Sequence, residues 1–155
     1  MAWRQSTGLR NAKLGTVGLK GALADGKIKI FSGSQPASAN NAEQGTLLLE
    51  ITLDAGAFAH GSATNGLEFD APASGVITKA AAETWRGLGV AAGTAGWGRF
   101  VGNATDDGGA STTLARLDFT VGAAGSGADA ILSDVTIEIG QSVTVDVFQL
   151  TDPAG

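Results

Sequence analysis

The sequence predicts an all-β fold of about eight short strands behind a short helical N-terminal segment, and three observations carry that expectation. After Gly26, apolar and polar residues alternate: Ile28 and Ile30, then Leu47, Leu49, Ile51 and Leu53, then Leu117, Phe119 and Val121. The 24 glycines fall between short apolar runs without a Gly-X-Y period, which is the distribution of turns. Helical spacing is confined to the residues before Asp25. At 155 residues the chain fits one domain with a core of its own. The count and size of the strands point to a jelly-roll-like antiparallel β-sandwich over residues 27–155. A basic arm with short helices, residues 1–26, precedes it.

Taken in order, TGLRNAKLGTVGLKGALA places Leu9, Leu14, Val17, Leu19 and Leu23 at loosely helical spacing. Ser6 or Thr7 caps the start and Asp25-Gly26 stops it. Gly15, Gly18 and Gly21 each cost a helix interior about 1 kcal/mol relative to Ala, so one or two short helices are expected. KIKIF and TLLLEITL then read as strands separated by the polar stretch 32–45. Shorter candidates follow at 67–70, 75–79 and 96–101. In TTLARLDFTV, Leu117, Phe119 and Val121 point inward, and Arg116, Asp118 and Thr120 point to solvent. VTIEIGQSVTVDVF reads as a hairpin turning at Gly140-Gln141 as a type II′ turn. Segment 80–95 has a first half with helical character, but Gly87, Gly89 and Gly93 favour a loop.

Charge is unevenly distributed. The net charge is −5, yet residues 1–30 hold six cations against Asp25 alone, and the rest of the chain carries −10. A basic end on an acidic body suits docking on an acidic surface, with Trp3, Arg4, Arg10 and Lys13 as candidate contacts. The acidic body and the basic residues' confinement to one end argue against nucleic acid. Without cysteine there is neither a disulfide framework nor a thiolate metal site, which fits assembly in a reducing cytoplasm. No apolar run reaches the roughly 18 residues of a membrane span, and no signal-peptide apolar region is visible.

No residue set converges on catalysis, and no cofactor is expected. His60, the single histidine, sits in a Gly- and Ala-rich loop without a nucleophile motif and reads as an exposed loop residue. GLGVAAG lacks the following helix that a dinucleotide turn needs. NATDDGG has Leu114 where a calcium loop needs a bidentate acid, so it reads as a tight turn. Asn103-Ala-Thr matches a glycosylation acceptor only as a short pattern. Glu68 and Asp70 share a strand face, and Trp85 and Trp97 are candidate surface aromatics for a carbohydrate.

GLKGALADGKIKIFSGSQPASANNAEQGTLLLEITL, TAGWGRFVG and GADAILSDVTIEIGQSVTVDVFQLT resemble, in this order, small structural proteins of tailed bacteriophages. The resemblance is nearest to the jelly-roll decoration, or cement, proteins of phage capsids. It implies a non-enzymatic virion protein on the capsid surface, assembled in the bacterial cytoplasm. Its partners would be the major capsid protein and further copies of itself, as dimer or trimer. Loop 32–45 would then be a contact surface. The second reading is a tail or fibre component that recognises a host surface or a carbohydrate through Trp85 and Trp97.

Overall fold

Ser6 starts the first helix. Its Oγ accepts the Leu9 N–H at 3.0 Å, and the same hydroxyl donates to the Leu114 carbonyl at 2.7 Å. Helix α1 (Thr7–Leu14) closes at Gly15, and α2 (Gly18–Leu23) opens with Gly18 at φ +73°, a left-handed conformation that glycine adopts at little cost. The computed structural model describes residues 3–152, so both ends of the expected arm and sandwich, residues 1–2 and 153–155, lie outside it. Within the described part, segment 3–26 is not a free arm. Leu9 and Leu23 are fully buried in the core, and β1 (Arg4–Gln5) pairs with the strand at 116–122.

The remaining strands are β2 (Lys27–Ser32), β3 (Leu47–Leu53), β4 (Val76–Thr78), β5 (Trp85–Leu88), β6 (Gly93–Val101), β7 (Arg116–Gly122), β8 (Ala130–Leu132), β9 (Thr136–Ile137) and β10 (Ser142–Thr151). The fold is all-β, but it is not a jelly-roll sandwich. The pairings run β7-β8-β10-β5-β3-β2-β6 and return to β7, closing a seven-strand barrel with β1, β4 and β9 as additions. One pairing, β7 with β8, is parallel. Closure depends on β10. Its start pairs with β5, Val145 to Phe148 pair with β8 across a bulge between Val145 and Val147, and its end takes β4. Alternation in sequence identifies strands but not their partners, so a sandwich and a barrel look alike at that level.

The expected hairpin at 140–141 does not form. Gln141 N–H bonds the Glu138 carbonyl at 3.1 Å with Gly140 at φ +81° in the third turn position, the hallmark of a type II turn. Such a turn splays the strands it joins. Thr136–Ile137 therefore leaves β10 and pairs with Gly93 and Thr94 of β6. Segment 80–95, expected as loop, supplies β5, while the expected strand at 67–70 makes only isolated bridges at Leu67 and Phe69.

The barrel interior is aromatic. Phe69, Trp85, Phe100, Phe119 and Phe148 have ring centroids 4.8–6.3 Å apart, in edge, tilted and stacked contacts. Ile28, Ile30, Leu49, Ile51 and Leu117 complete the filling.

The outer wall of β2, β6 and β7 is also covered. Register aligns Glu50, Lys29, Arg99, Asp118 and Arg4 across neighbouring strands. Arg99, Arg116 and Asp118 have no exposure to water. Asp118 was expected to face solvent. It does face outward, but segment 33–46 lies over it: the Asn41 carbonyl accepts from Arg99 and Arg116, and Gln44 accepts from Trp97 Nε1 at 3.2 Å. The polar loop at 32–45 thus turns Pro36 and Ala39 inward as a cover, while Ser34, Ala37 and Ala42 stay exposed on its outer side.

Candidate functional site

Several residues singled out by sequence have structural partners. Arg99 holds Asp118 through two bonds of 2.6 and 2.9 Å, and Arg116 holds Asp106 through two of 2.8 and 2.6 Å. Such two-pronged pairs fix geometry tightly. Burial raises the Asp118 carboxyl above its ordinary value, partly countered by the Arg99 hydrogen bonds and the Arg99, Arg116 and Arg4 charges. Burial also pushes Asp106 upward, but hydrogen bonds from Arg116 and Gly108 N–H, with the Arg116 and Arg99 charges, hold it below the usual range. The Asp106 carboxylate is thereby committed to Arg116, which explains NATDDGG without calcium.

The other motifs resolve similarly. Asn103 Nδ2 donates to the carbonyls of Asp25 and Ser62, so its amide is a structural clamp. His60 is half-buried, not exposed, with Nδ1 3.2 Å from the Asn103 carbonyl and its ring edge-on to Phe58. Glu68 and Asp70 part company: Glu68 lies 3.6 Å from Lys20, and Asp70 accepts the Ala81 N–H. Burial, then the nearby Asp25 charge, raises the Glu68 carboxyl. Trp85 and Trp97 are both interior, at 0% and 1% exposure, so neither offers a face to a sugar. Trp85 packs in the barrel, and Trp97 stacks on Phe31 beneath the cover at 4.6 Å. Among the described residues no group of three or more His, Cys, Asp or Glu is placed to hold a metal ion, and no helix is long and apolar enough to cross a membrane.

One face with exposed apolar residues is built by α1, α2, β4 and the end of β10. A groove of about 390 Å³ runs there, lined by Trp3, Val17, Leu19, Ile77 and Leu150, with Lys13 and Lys20 on its walls. Leu14, the last residue of α1, and Val17, between the two helices, are 88% and 55% exposed. The four predicted contacts divide here. Arg10 is exposed, and Lys13 sits 5.8 Å over the Trp3 ring, within cation–π range. Trp3 is half-buried and forms part of the groove. Arg4 is occupied instead, its Nη1 donating to the Pro36 carbonyl at 2.7 Å beside Asp118.

Sequence reasoning missed Val17, Lys20, Ile77 and Leu150. Lys13 and Lys20 lie on separate helices and Val17 between them, so the turn between α1 and α2 brings them together. Ile77 and Leu150 reach the groove only through the β4–β10 pairing. No family model, curated protein or solved structure matches the chain.

Proposed function

We propose that the protein is a decoration protein of a tailed-phage capsid that acts by surface contact, docking its N-terminal face on the outside of the shell. One observation carries this reading: strongly exposed Leu14 shares a hollow with Arg10 and Lys13, and strongly exposed Val17 lines the neighbouring groove with Lys13 and Lys20, on a chain that is otherwise acidic. An apolar centre with a cationic rim fits an acidic partner surface with an apolar contact at its middle. The barrel behind it is a rigid mount, since both its interior and its outer wall are packed. The sequence resemblance to phage structural proteins supplies the capsid as partner. Arg4 is turned away from this face, its guanidinium donating to the Pro36 carbonyl, which leaves Arg10 and Lys13 as the docking cations.

The tail-and-carbohydrate reading loses its residue basis with Trp85 and Trp97 interior. The test is binding to undecorated particles. Wild-type protein should pellet with them and release as salt rises, because exposed charges are screened over about 10 Å at 0.1 M. Leu14→Asp and Lys13→Glu should bind far more weakly while melting normally. Equal binding by both folded variants refutes the assigned face.

A further inference from the structure

Segment 33–46, which covers the outer wall, is attached in a way that lets it come off. It is the loop of the β2–β3 hairpin, and the hairpin is closed beneath it. Ser32 N–H donates to the Thr46 carbonyl and Thr46 N–H to Ser32 Oγ, both at 3.0 Å. Near the two ends of the segment, Gly33 at φ +81° and Gly45 at φ +85° hold the left-handed conformation that glycine enters and leaves at little cost. Two such pivots above a closed base let the segment swing while β2 and β3 stay paired.

The attachment is almost wholly polar. Of the segment's side chains only Pro36 and Ala39 are buried, so lifting it gives up little apolar burial. Two residues clasp it. Asn40 exchanges two bonds of 2.8 Å with the Thr7 N–H and hydroxyl, and its carbonyl takes the Ser111 N–H at 2.8 Å. Glu43 meets Lys29 at 2.6 Å and sends its own N–H to the Gly108 carbonyl at 2.9 Å. The other tethers are carbonyls: Pro36 to Arg4, Gln44 to Trp97, and Asn41 shared by Arg99 and Arg116 at 3.1 and 3.4 Å. Water can replace these carbonyls, and Arg99 and Arg116 keep Asp118 and Asp106 when they leave. Rehydrating buried charges then offsets part of the cost of opening. The barrel strands have no such compensation, because separating them wets an apolar interior.

We propose that segment 33–46 is a flap that opens as a unit on Gly33 and Gly45 from an intact barrel, with Asn40 and Glu43 as its two clasps. Opening bares Lys29, Arg99 and the Trp97 indole N–H, a cationic and aromatic surface that the closed protein withholds. Neither clasp lines the N-terminal groove, so the flap works whether or not that groove docks on a capsid.

The experiment is amide hydrogen exchange of the full chain, read residue by residue by NMR, in buffer and in urea below the unfolding transition. The reporters are the Glu43 and Ser111 N–H groups, whose bonds exist only with the flap closed. In wild-type protein they should exchange together, about tenfold or more faster than the slowest amides of β2 and β6. Urea should speed the strands and barely touch the reporters, because flap opening exposes little surface. Glu43→Gln and Asn40→Ala should each speed both reporters by about tenfold, the loss of a clasp, and leave the strand amides unchanged. Wild-type reporters that exchange only with the strands, at the same urea-dependent rate, overturn the proposal. So do clasp variants that speed the strands as much as the reporters, or that leave the reporters unmoved.

Discussion

Replacing Asp118 with alanine removes the carboxylate that Arg99 grips at 2.6 and 2.9 Å, leaving a guanidinium sealed from water. Breaking a buried pair from one side costs roughly 3–5 kcal/mol, because the surviving charge cannot reach solvent. Here Arg99 keeps its Nη1 bond to the Asn41 carbonyl at 3.1 Å, and Arg116 keeps Asp106, so the lower end of that range is expected, about 3 kcal/mol. A chain of this length loses about 2–4 °C of melting temperature per kcal/mol, giving a fall of roughly 6–12 °C. Thermal melts by circular dichroism, with urea titrations at a fixed temperature, read both quantities. The double variant Arg99→Met/Asp118→Leu removes both charges and should recover most of the loss, since apolar replacement of a buried pair is often neutral. A cost below about 0.5 kcal/mol for Asp118→Ala, the value of an open surface position, would refute the covered wall.

Three further outcomes are expected. Phe119→Ala, at a fully buried ring 4.8 Å from Phe148, should cost roughly 3–5 kcal/mol in the same titrations, and a loss under about 1 kcal/mol would contradict the barrel packing. Deleting residues 1–14 should leave the chain unfolded or aggregated in a thermal melt, because it strips Leu9 from the core, Ser6 from Arg116 and β1 from β7; a normal melt would contradict an integral N-terminus. Asp106 is held below its ordinary 3.8, so its stabilising contribution is present above that pH and lost as pH falls through the lower folded value. Asp106→Asn should flatten the acid limb of stability against pH in urea titrations. Asp118, whose folded value is raised, contributes in the opposite sense: its share is fully present below 3.8 and is lost as pH rises through the folded value. An acid limb that Asp106→Asn leaves unchanged would contradict this assignment.

The strands at 27–32, 47–53 and 116–122 were legible because alternation is local, and of the inward set Leu117 and Phe119 are buried while Val121 is only half-buried. What alternation could not convey is whether the outward side is wet. Arg116 and Asp118 point outward yet are sealed, because a loop far along the chain folds over them and supplies Asn41. Barrel closure was illegible for the same reason: it depends on β10 pairing with both β5 and β8, and pairing partners leave no local trace. The turn at Gly140 misled because glycine serves types II and II′ alike, and only its place in the turn distinguishes them. Of the proposed docking face, the basic cluster was visible as charge asymmetry, and the exposed apolar residues beside it were not.

A reconstruction of the intact phage particle tests the central claim most directly. It should show many copies of the barrel spread over the capsid exterior, each with α1, α2 and the groove beside Lys13 and Lys20 turned toward the shell. Copies confined to a single tail-bearing vertex would contradict the decoration role. Copies on the shell whose N-terminal face points to solvent would contradict the docking surface.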